Sequence, residues 1–264
     1  MHNISFLQNE NLPSFAQFCI SDSRYEDLRT HFTKKTYRAG ECVQSEGDTI
    51  THFGIVVSGI LKAVSYSRDG EELCNAYFEE EDVFPEFLYL TGNRHYTYLL
   101  YVEKRAEVLW IPIFLLEEML SADAGLVSAL LCYVSQRGLK NQLYLNCLNY
   151  QTVRERIAYW IMGVRKIEAR QEQEVHMPRS QRIFANMLHV NRSSLNQELK
   201  QMEREGYFRL DKERLLHVEG GTAEGAALIR QLCQAIPIKN GPHLKILLTG
   251  SPWAVFHSAL FSIM

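Results

Sequence analysis

Residues Ser180 to Met202 read SQRIFANMLHVNRSSLNQELKQM, and this stretch decides the architecture of the C-terminal half. Ser180 suits the N-cap of a short first helix, because its side-chain oxygen can accept from an otherwise unpaired helix amide. In that helix Ile183, Ala185, Met187 and Leu188 can face inward, and Ala185 is small enough for close helix contact. A turn falls near His189, and Asn191 can cap a second helix. There Leu195, Leu199 and Met202 stand at i, i+4 and i+7 and bury one side. The opposite side presents Arg192, Ser193, Asn196, Gln197 and Lys200. Helices joined in this way let the start of the second enter a major groove while its apolar stripe stays on the domain. Arg192 can then donate two bonds to guanine O6 and N7, and Asn196 or Gln197 can pair with adenine N6 and N7. Ser194, Lys200 and the first helix amides suit phosphate, which positions without reading sequence. Ser180, at the start of the first helix, completes this DNA-binding set.

Downstream, REGYFRLDKERLLHV has apolar runs at Tyr207 to Leu210 and Leu215 to Val218 around the polar turn Asp211-Lys212-Glu213, as a β-hairpin wing would. Upstream, VRERIAYWIMGVRKI lines Val153, Ile157, Trp160, Ile161 and Val164 along one helical face, and a short EVHMP run follows. Helix, two motif helices and wing in this order spell a winged helix-turn-helix over residues 150–219.

Further upstream the period changes. Val127, Leu131, Val134, Gly138, Asn141, Leu145 and Leu148 alternate spacings of four and three, which is the seam of a coiled coil. Residues 121–149 are thus expected to be a dimerisation helix, with Gly138 allowing close approach and Asn141 fixing register or meeting a ligand. The alternative is an amphipathic helix packed on its own domain. From Thr33 to Pro112 the chain reads as short extended runs broken by Ala39-Gly40, Gly47-Asp48 and Asp69-Gly70. Asp-Gly between β-rich runs predicts a tight primed turn, and strands so spaced predict a sandwich or small barrel within residues 1–120. The expected fold class is therefore α+β.

Composition agrees with two domains. Residues 1–120 hold 10 Lys+Arg against 19 Asp+Glu, whereas residues 150–219 hold 13 against 10, so the basic half is the one expected to face DNA. The six cysteines have no ligand spacing, and His52 and His95 stand apart, so no metal, cofactor or enzymatic site is expected. A cupin-like small-molecule or metal protein is the reading this disfavours. The start MHNISFLQNENLPS lacks the pattern of a secretory signal, which points to the cytoplasm. Ile246 to Met264, ILLTGSPWAVFHSALFSIM, has no charged residue but is interrupted by Gly250, Ser251, Pro252 and His257, so a docked or poorly ordered tail of unknown role within residues 220–264 is expected and a membrane span is not.

At this point the chain resembles the Crp/Fnr family, that of the catabolite activator protein and the fumarate-nitrate regulator, over Phe32 to Val218. The match rests on AGE at Ala39 to Glu41, EGD at Glu46 to Asp48, VVSG at Val56 to Gly59, RDG at Arg68 to Gly70, RIA at Arg156 to Ala158, and the helix-turn-helix. The resemblance implies a jelly-roll (double-stranded β-helix) sensor of the cyclic-nucleotide-binding type, a homodimer, a palindromic operator in double-stranded DNA and RNA polymerase as a further partner. Cyclic-nucleotide binders of the family place a Gly-Glu pair before a short helix and an Arg-Ser pair some ten residues later. Here the stretch is PEFLYLTGNRHYTY: Glu86 remains, Pro85 replaces the glycine, and Tyr96-Thr97 replace Arg-Ser, with Arg94 two residues out of register. A phosphodiester would lack its charge-assisted partner, so cyclic AMP is not the expected effector. The expected effector set is Glu86, Phe87, Leu88, Tyr89, Tyr96 and Thr97, with Tyr98 nearby and Asn141 and Gln142 at the helix positions that meet ligand in nucleotide-binding relatives. Aromatic walls with a few polar groups suit a flat organic effector, and LYLTGNRHYTY is similar to the branch of the family that senses halogenated phenols. The other reading is a filled, vestigial sensor on a constitutive DNA-binding dimer. Family members with an iron-sulfur cluster carry grouped cysteines near the N-terminus; Cys19 alone stands there.

Overall fold

The computed structural model describes residues 13–167, 174–178, 180–211 and 215–217. The sequence expectations for the N-terminal twelve residues, for the wing turn and for the tail beyond 217 lie outside them. The chain divides into two compact units, residues 1–144 and 145–264.

In the first unit, helices α1 (Phe15–Ser21) and α2 (Glu26–Arg29) precede six strands: β1 (Thr33–Tyr37), β2 (Cys42–Gln44), β3 (His52–Tyr66), β4 (Glu72–Phe78), β5 (Val83–Phe84) and β6 (Leu99–Pro112), with α3 (Glu86–Leu90) before β6. The two long strands pair antiparallel, β6 also pairs with β1 and β2, and β3 with β4 and β5. The register slips around Gly59. This glycine has φ +91°, and a Cβ there would lie 2.1 Å from the Arg105 carbonyl oxygen, so only glycine allows the kink. Its VVSG context is therefore a bend in the sheet.

Period-2 alternation then sorts side chains between two cores. Phe53 and Ile55 of β3 and Leu109 and Ile111 of β6 join Phe15, Phe18 and Cys19 of α1 under α4 (Ile113–Ala122). Val56, Leu61, Val108 and Trp110 turn to the other face, where they meet Tyr37, Phe78 and Phe84. Phe84 stands edge-on to Trp110 at 5.3 Å between ring centroids, and Trp110 Nε1 donates to the Tyr37 hydroxyl at 3.1 Å. Each such fully buried aromatic contributes roughly 1.5–3 kcal/mol. Burial pushes the Cys19 thiol up to about 12, so it is an inert packing group. The Asp69-Gly70 signal marks a hairpin, though not a two-residue one. Ser67 N donates to Glu71 O, leaving a three-residue loop with Gly70 at φ +81°.

Helix α5 (Ala124–Cys147) follows. Its inner face buries Leu126, Ala129, Leu130 and Leu143, while Leu131 is 50% and Leu145 is 66% exposed.

The second unit holds α6 (Val153–Ile167), β7 (Glu174–His176), α7 (Gln181–Met187), α8 (Arg192–Arg204), β8 (Arg209–Leu210) and β9 (Leu215–His217). Its three strands pair in the order β7-β9-β8, so the EVHMP run contributes a strand to the wing sheet. Ile157, Trp160, Ile161 and Val164 of α6 form a core with Ile183, Phe184, Leu195, Leu199 and Met202. Phe184, which the inward set read from sequence leaves out, is fully buried with its ring 4.5 Å from Trp160, while Met187 is only half-buried.

Candidate DNA interface and sensor site

Three local devices present α8. Ser180 caps α7 by accepting from Arg182 N at 3.2 Å. His189 adopts φ +51°, the left-handed conformation that the turn requires and that histidine tolerates better than branched residues. Arg156, from the RIA motif, then pins the turn: its Nη1 donates to Leu188 O at 2.7 Å and His189 O at 3.2 Å, and its Nε to Tyr150 O at 2.9 Å. Sequence reading matched Arg156 only as a motif letter. A guanidinium between helix-end carbonyls is a role that shows only once the turn is folded. Asn191 occupies the N-cap position of α8 with extended backbone, but its side chain makes no capping bond, contrary to the sequence expectation.

On α8 the charges are sorted. Arg154 on α6 donates to Glu198 and, through both terminal nitrogens, to Glu205, which holds the Glu205 carboxyl below the usual carboxylate range. Glu203 accepts from Leu210 N at 2.9 Å and so ties β8 to the helix. The acids are thereby engaged by their own domain. Arg192, Ser193, Gln197 and Lys200 are exposed, and Ser194 and Asn196 half-buried beside the apolar stripe. The polar face read from sequence is thus an open surface, with Arg192 and Ser193 in its first turn, where unpaired amides also point outward.

In the sensor unit the expected effector set does not come together as one cluster. Phe87, Thr97, Asn141 and Gln142 are exposed. Tyr89 turns into the α1–α4 core, its ring 5.7 Å from Phe53 and its hydroxyl donating to Glu117. Leu88 is half-buried. Glu86 and Tyr96 do point inward, and are 1% and 2% exposed. Tyr98 packs beside them against the inner core, its ring 5.7 Å from that of Tyr96.

The guanidinium paired with Glu86 is not that of Arg94, which is exposed. It is Arg137, on α5. Its Nε lies 3.5 Å from Glu86 Oε1 and its Nη1 3.3 Å from Asp82 Oδ1, while its plane covers the Phe78 ring at 4.8 Å. One turn earlier, Tyr133 accepts from Val83 N at 2.8 Å and reaches Asp82. Tyr133 and Arg137, four apart on one helix face, together clamp the segment from Tyr77 to Glu86. Burial raises the Glu86 carboxyl to about 7, with Arg137 opposing. Burial also works against the Arg137 charge, but Asp82 and Glu86 outweigh it and the pKa is raised. Three buried polar atoms here have no hydrogen-bond partner: Glu86 Oε1, the Tyr96 hydroxyl and Arg137 Nε. His52 and His95 are far from forming a site, one beside Trp110 and the other bonded to the Gly47 carbonyl, and no metal-holding group occurs among the described residues. No helix among them is long and apolar enough to cross a membrane.

The fold and these surfaces define a regulator that couples a cyclic-nucleotide-binding-type sensor to a DNA-reading head. A cyclic nucleotide-binding domain model matches residues 34–123, and a Crp-like helix-turn-helix domain model matches residues 155–219. The chain belongs to the Crp/Fnr family of DNA-binding transcription regulators. Among solved structures it is similar to FixK2 from Bradyrhizobium japonicum, at 17% identity over 76% of this chain and 96% of that one, with a TM-score of 0.55. It is also similar to a CooA variant from Carboxydothermus hydrogenoformans, at 14% identity over 82% and 96%, with a TM-score of 0.54. Likeness at such identities speaks for the fold. No curated protein sequence matches the chain.

Proposed function

We propose that the chain acts as a homodimer whose two α8 helices read a palindromic operator, and whose sensor is gated by a small organic effector other than cyclic AMP. The observation that carries the reading is α8 itself: an apolar stripe fixed to the domain, acids engaged within that domain, and Arg192, Ser193, Gln197 and Lys200 left open. The exposed leucines Leu131 and Leu145 of α5 support the dimer, since apolar side chains at seam spacing are the surface a second copy would cover. Cyclic AMP is disfavoured because Pro85 and Tyr96-Thr97 stand where phosphate-binding groups would be, and Arg94 faces solvent. Tyr98, which faces Glu86 and stands edge-on to Tyr96 at 5.7 Å between ring centroids, favours an aromatic effector. The effector would act by favouring one of two arrangements of α5, and with it the spacing of the reading heads. The test is selection of duplexes from a random library by the full chain: a two-fold symmetric consensus is expected, and recovery of unrelated sequences overturns the reading.

A further inference from the structure

Residues 148–151 join α5 to α6, within the second unit. A short exposed connection of this kind is where a free hinge would be expected, yet hydrogen bonds cross it from both ends. On the α5 side Leu148 N donates to Leu145 O at 3.2 Å, Asn149 N to Asn146 O at 3.2 Å and Tyr150 N to Cys147 O at 3.1 Å, which prolongs the helix as tight i→i+3 turns. On the α6 side Thr152 and Glu155 form a capping box: Thr152 N donates to the Glu155 carboxylate at 3.0 Å, and Glu155 N to the Thr152 hydroxyl at 3.2 Å. Tyr150, between the two, is gripped twice. Its carbonyl accepts from Arg156 Nε at 2.9 Å, and its ring lies 4.8 Å from the ring of Tyr159.

Arg156 continues the path. Its Nη1 donates to the carbonyls of Leu188 and His189, and His189 is the left-handed residue of the turn before α8. Two residues on, the Asn191 carbonyl accepts from Leu195 N at 2.9 Å and opens that helix. One side chain thus holds both the segment leaving α5 and the turn that aims α8.

We propose that Arg156 is a relay: a displacement of the last turn of α5 reaches the start of α8 through its guanidinium, so that residues 148–151 act as a stiff elbow. This deepens the proposed gating through α5 and rests on it. A planar fork with fixed donors can bridge two chain segments at once, whereas an ammonium is a single point of charge. A left-handed histidine persists only where its surroundings hold it, so a turn released on one side loosens. Arg156 is on this account a positioning residue, acting on DNA through Leu188 and His189.

Hydrogen exchange on the full chain, read by mass spectrometry, tests the relay with neither effector nor operator present. Asn149 is exposed on the elbow, and Asn149→Gly frees its backbone while Arg156 and both tyrosines stay. Exchange over residues 186–196 is expected to quicken about threefold, with residues 157–164 in the core face of α6 unchanged. In Arg156→Lys, which keeps the charge but not the fork, residues 186–196 should exchange faster from the outset, and adding Asn149→Gly should change them no further. Arg156→Gln, which keeps an amide donor, is the second background, and thermal melts show that each variant folds. A merely structural Arg156 would give the faster exchange of Arg156→Lys without any response to Asn149→Gly. No change over residues 186–196 in Asn149→Gly, or an equal added rise with and without Arg156, overturns the proposal. Duplex selection is independent: if it yields a symmetric consensus while these residues ignore Asn149→Gly, the relay falls and the regulator reading stands.

Discussion

Arg156 turns its guanidinium inward onto the carbonyls of Tyr150, Leu188 and His189, whereas Arg192 is exposed in the first turn of α8. Equal charges therefore give opposite phenotypes. Arg156→Ala is expected to lose about 2 kcal/mol of stability, since charge-assisted bonds to three carbonyls go at once, and to weaken binding to all duplexes alike. Arg192→Ala should leave stability within about 0.5 kcal/mol but lose roughly 1 to 3 kcal/mol of discrimination at one base position. Urea melts and binding to an operator series with single substitutions check both. Glu86 gives a pH dependence with a definite sign. Its pKa is raised from 4.5 unfolded to about 7 folded, so the folded chain holds the extra proton. Its stabilising contribution is full below the unfolded value and is lost as pH rises through the folded one. Melting temperature should thus fall between about pH 5 and pH 7 by the equivalent of on the order of 2 kcal/mol, and Glu86→Gln should flatten that slope.

The helix α5 carries information on three faces. Leu126, Ala129 and Leu130 bury it on its own unit, Tyr133 and Arg137 clamp the Tyr77–Glu86 segment, and Leu131 and Leu145 stay exposed. Leu131→Asp would put a carboxylate at a seam position without touching either of the other faces. On the proposed dimer, sedimentation equilibrium is expected to show wild type as dimer and the variant as monomer, with tenfold or more lost in operator affinity. An unchanged dimer would mean that the seam lies elsewhere. The same helix shows how far sequence reading reaches. Its period, the winged helix-turn-helix and the β-rich sensor were legible, because each rests on local spacing of apolar residues and turn formers. Arg137 was not, since its significance depends on Asp82 and Glu86 some fifty residues away, joined to it only by the fold. Tyr89 misled for the related reason that closeness in sequence did not decide its packing: three residues after Glu86 on α3, it packs with Phe53 and bonds to Glu117, while Glu86 faces Arg137. The Asn191 cap and the primed turn at Gly70 failed on a finer point: residue type fixes a preference, while the neighbouring backbone decides which bond forms.

At the scale of the whole molecule, charge is divided between the units. The acidic balance of residues 1–120 and the basic balance of residues 150–219 mean that the sensor repels a polyanion while the reading head attracts it. Affinity for DNA should therefore come from a few cations near α8, each releasing counterions on contact with phosphate. Every such contact adds about 0.9 to the slope of log affinity against log salt. Lys200 is exposed on α8 and forms no ion pair with the helix's acids, which makes it a clean reporter. In a dimer gripping both half-sites, one substitution removes two contacts. Lys200→Ala is thus expected to lower the salt slope by about two with little change in sequence preference, whereas a single reading head on the duplex would lower it by about one. Titrations of a fluorescent operator across a salt series distinguish the two. An unchanged slope would remove Lys200 from the phosphate-facing surface, and would leave Arg192 and the first-turn amides to hold the backbone there.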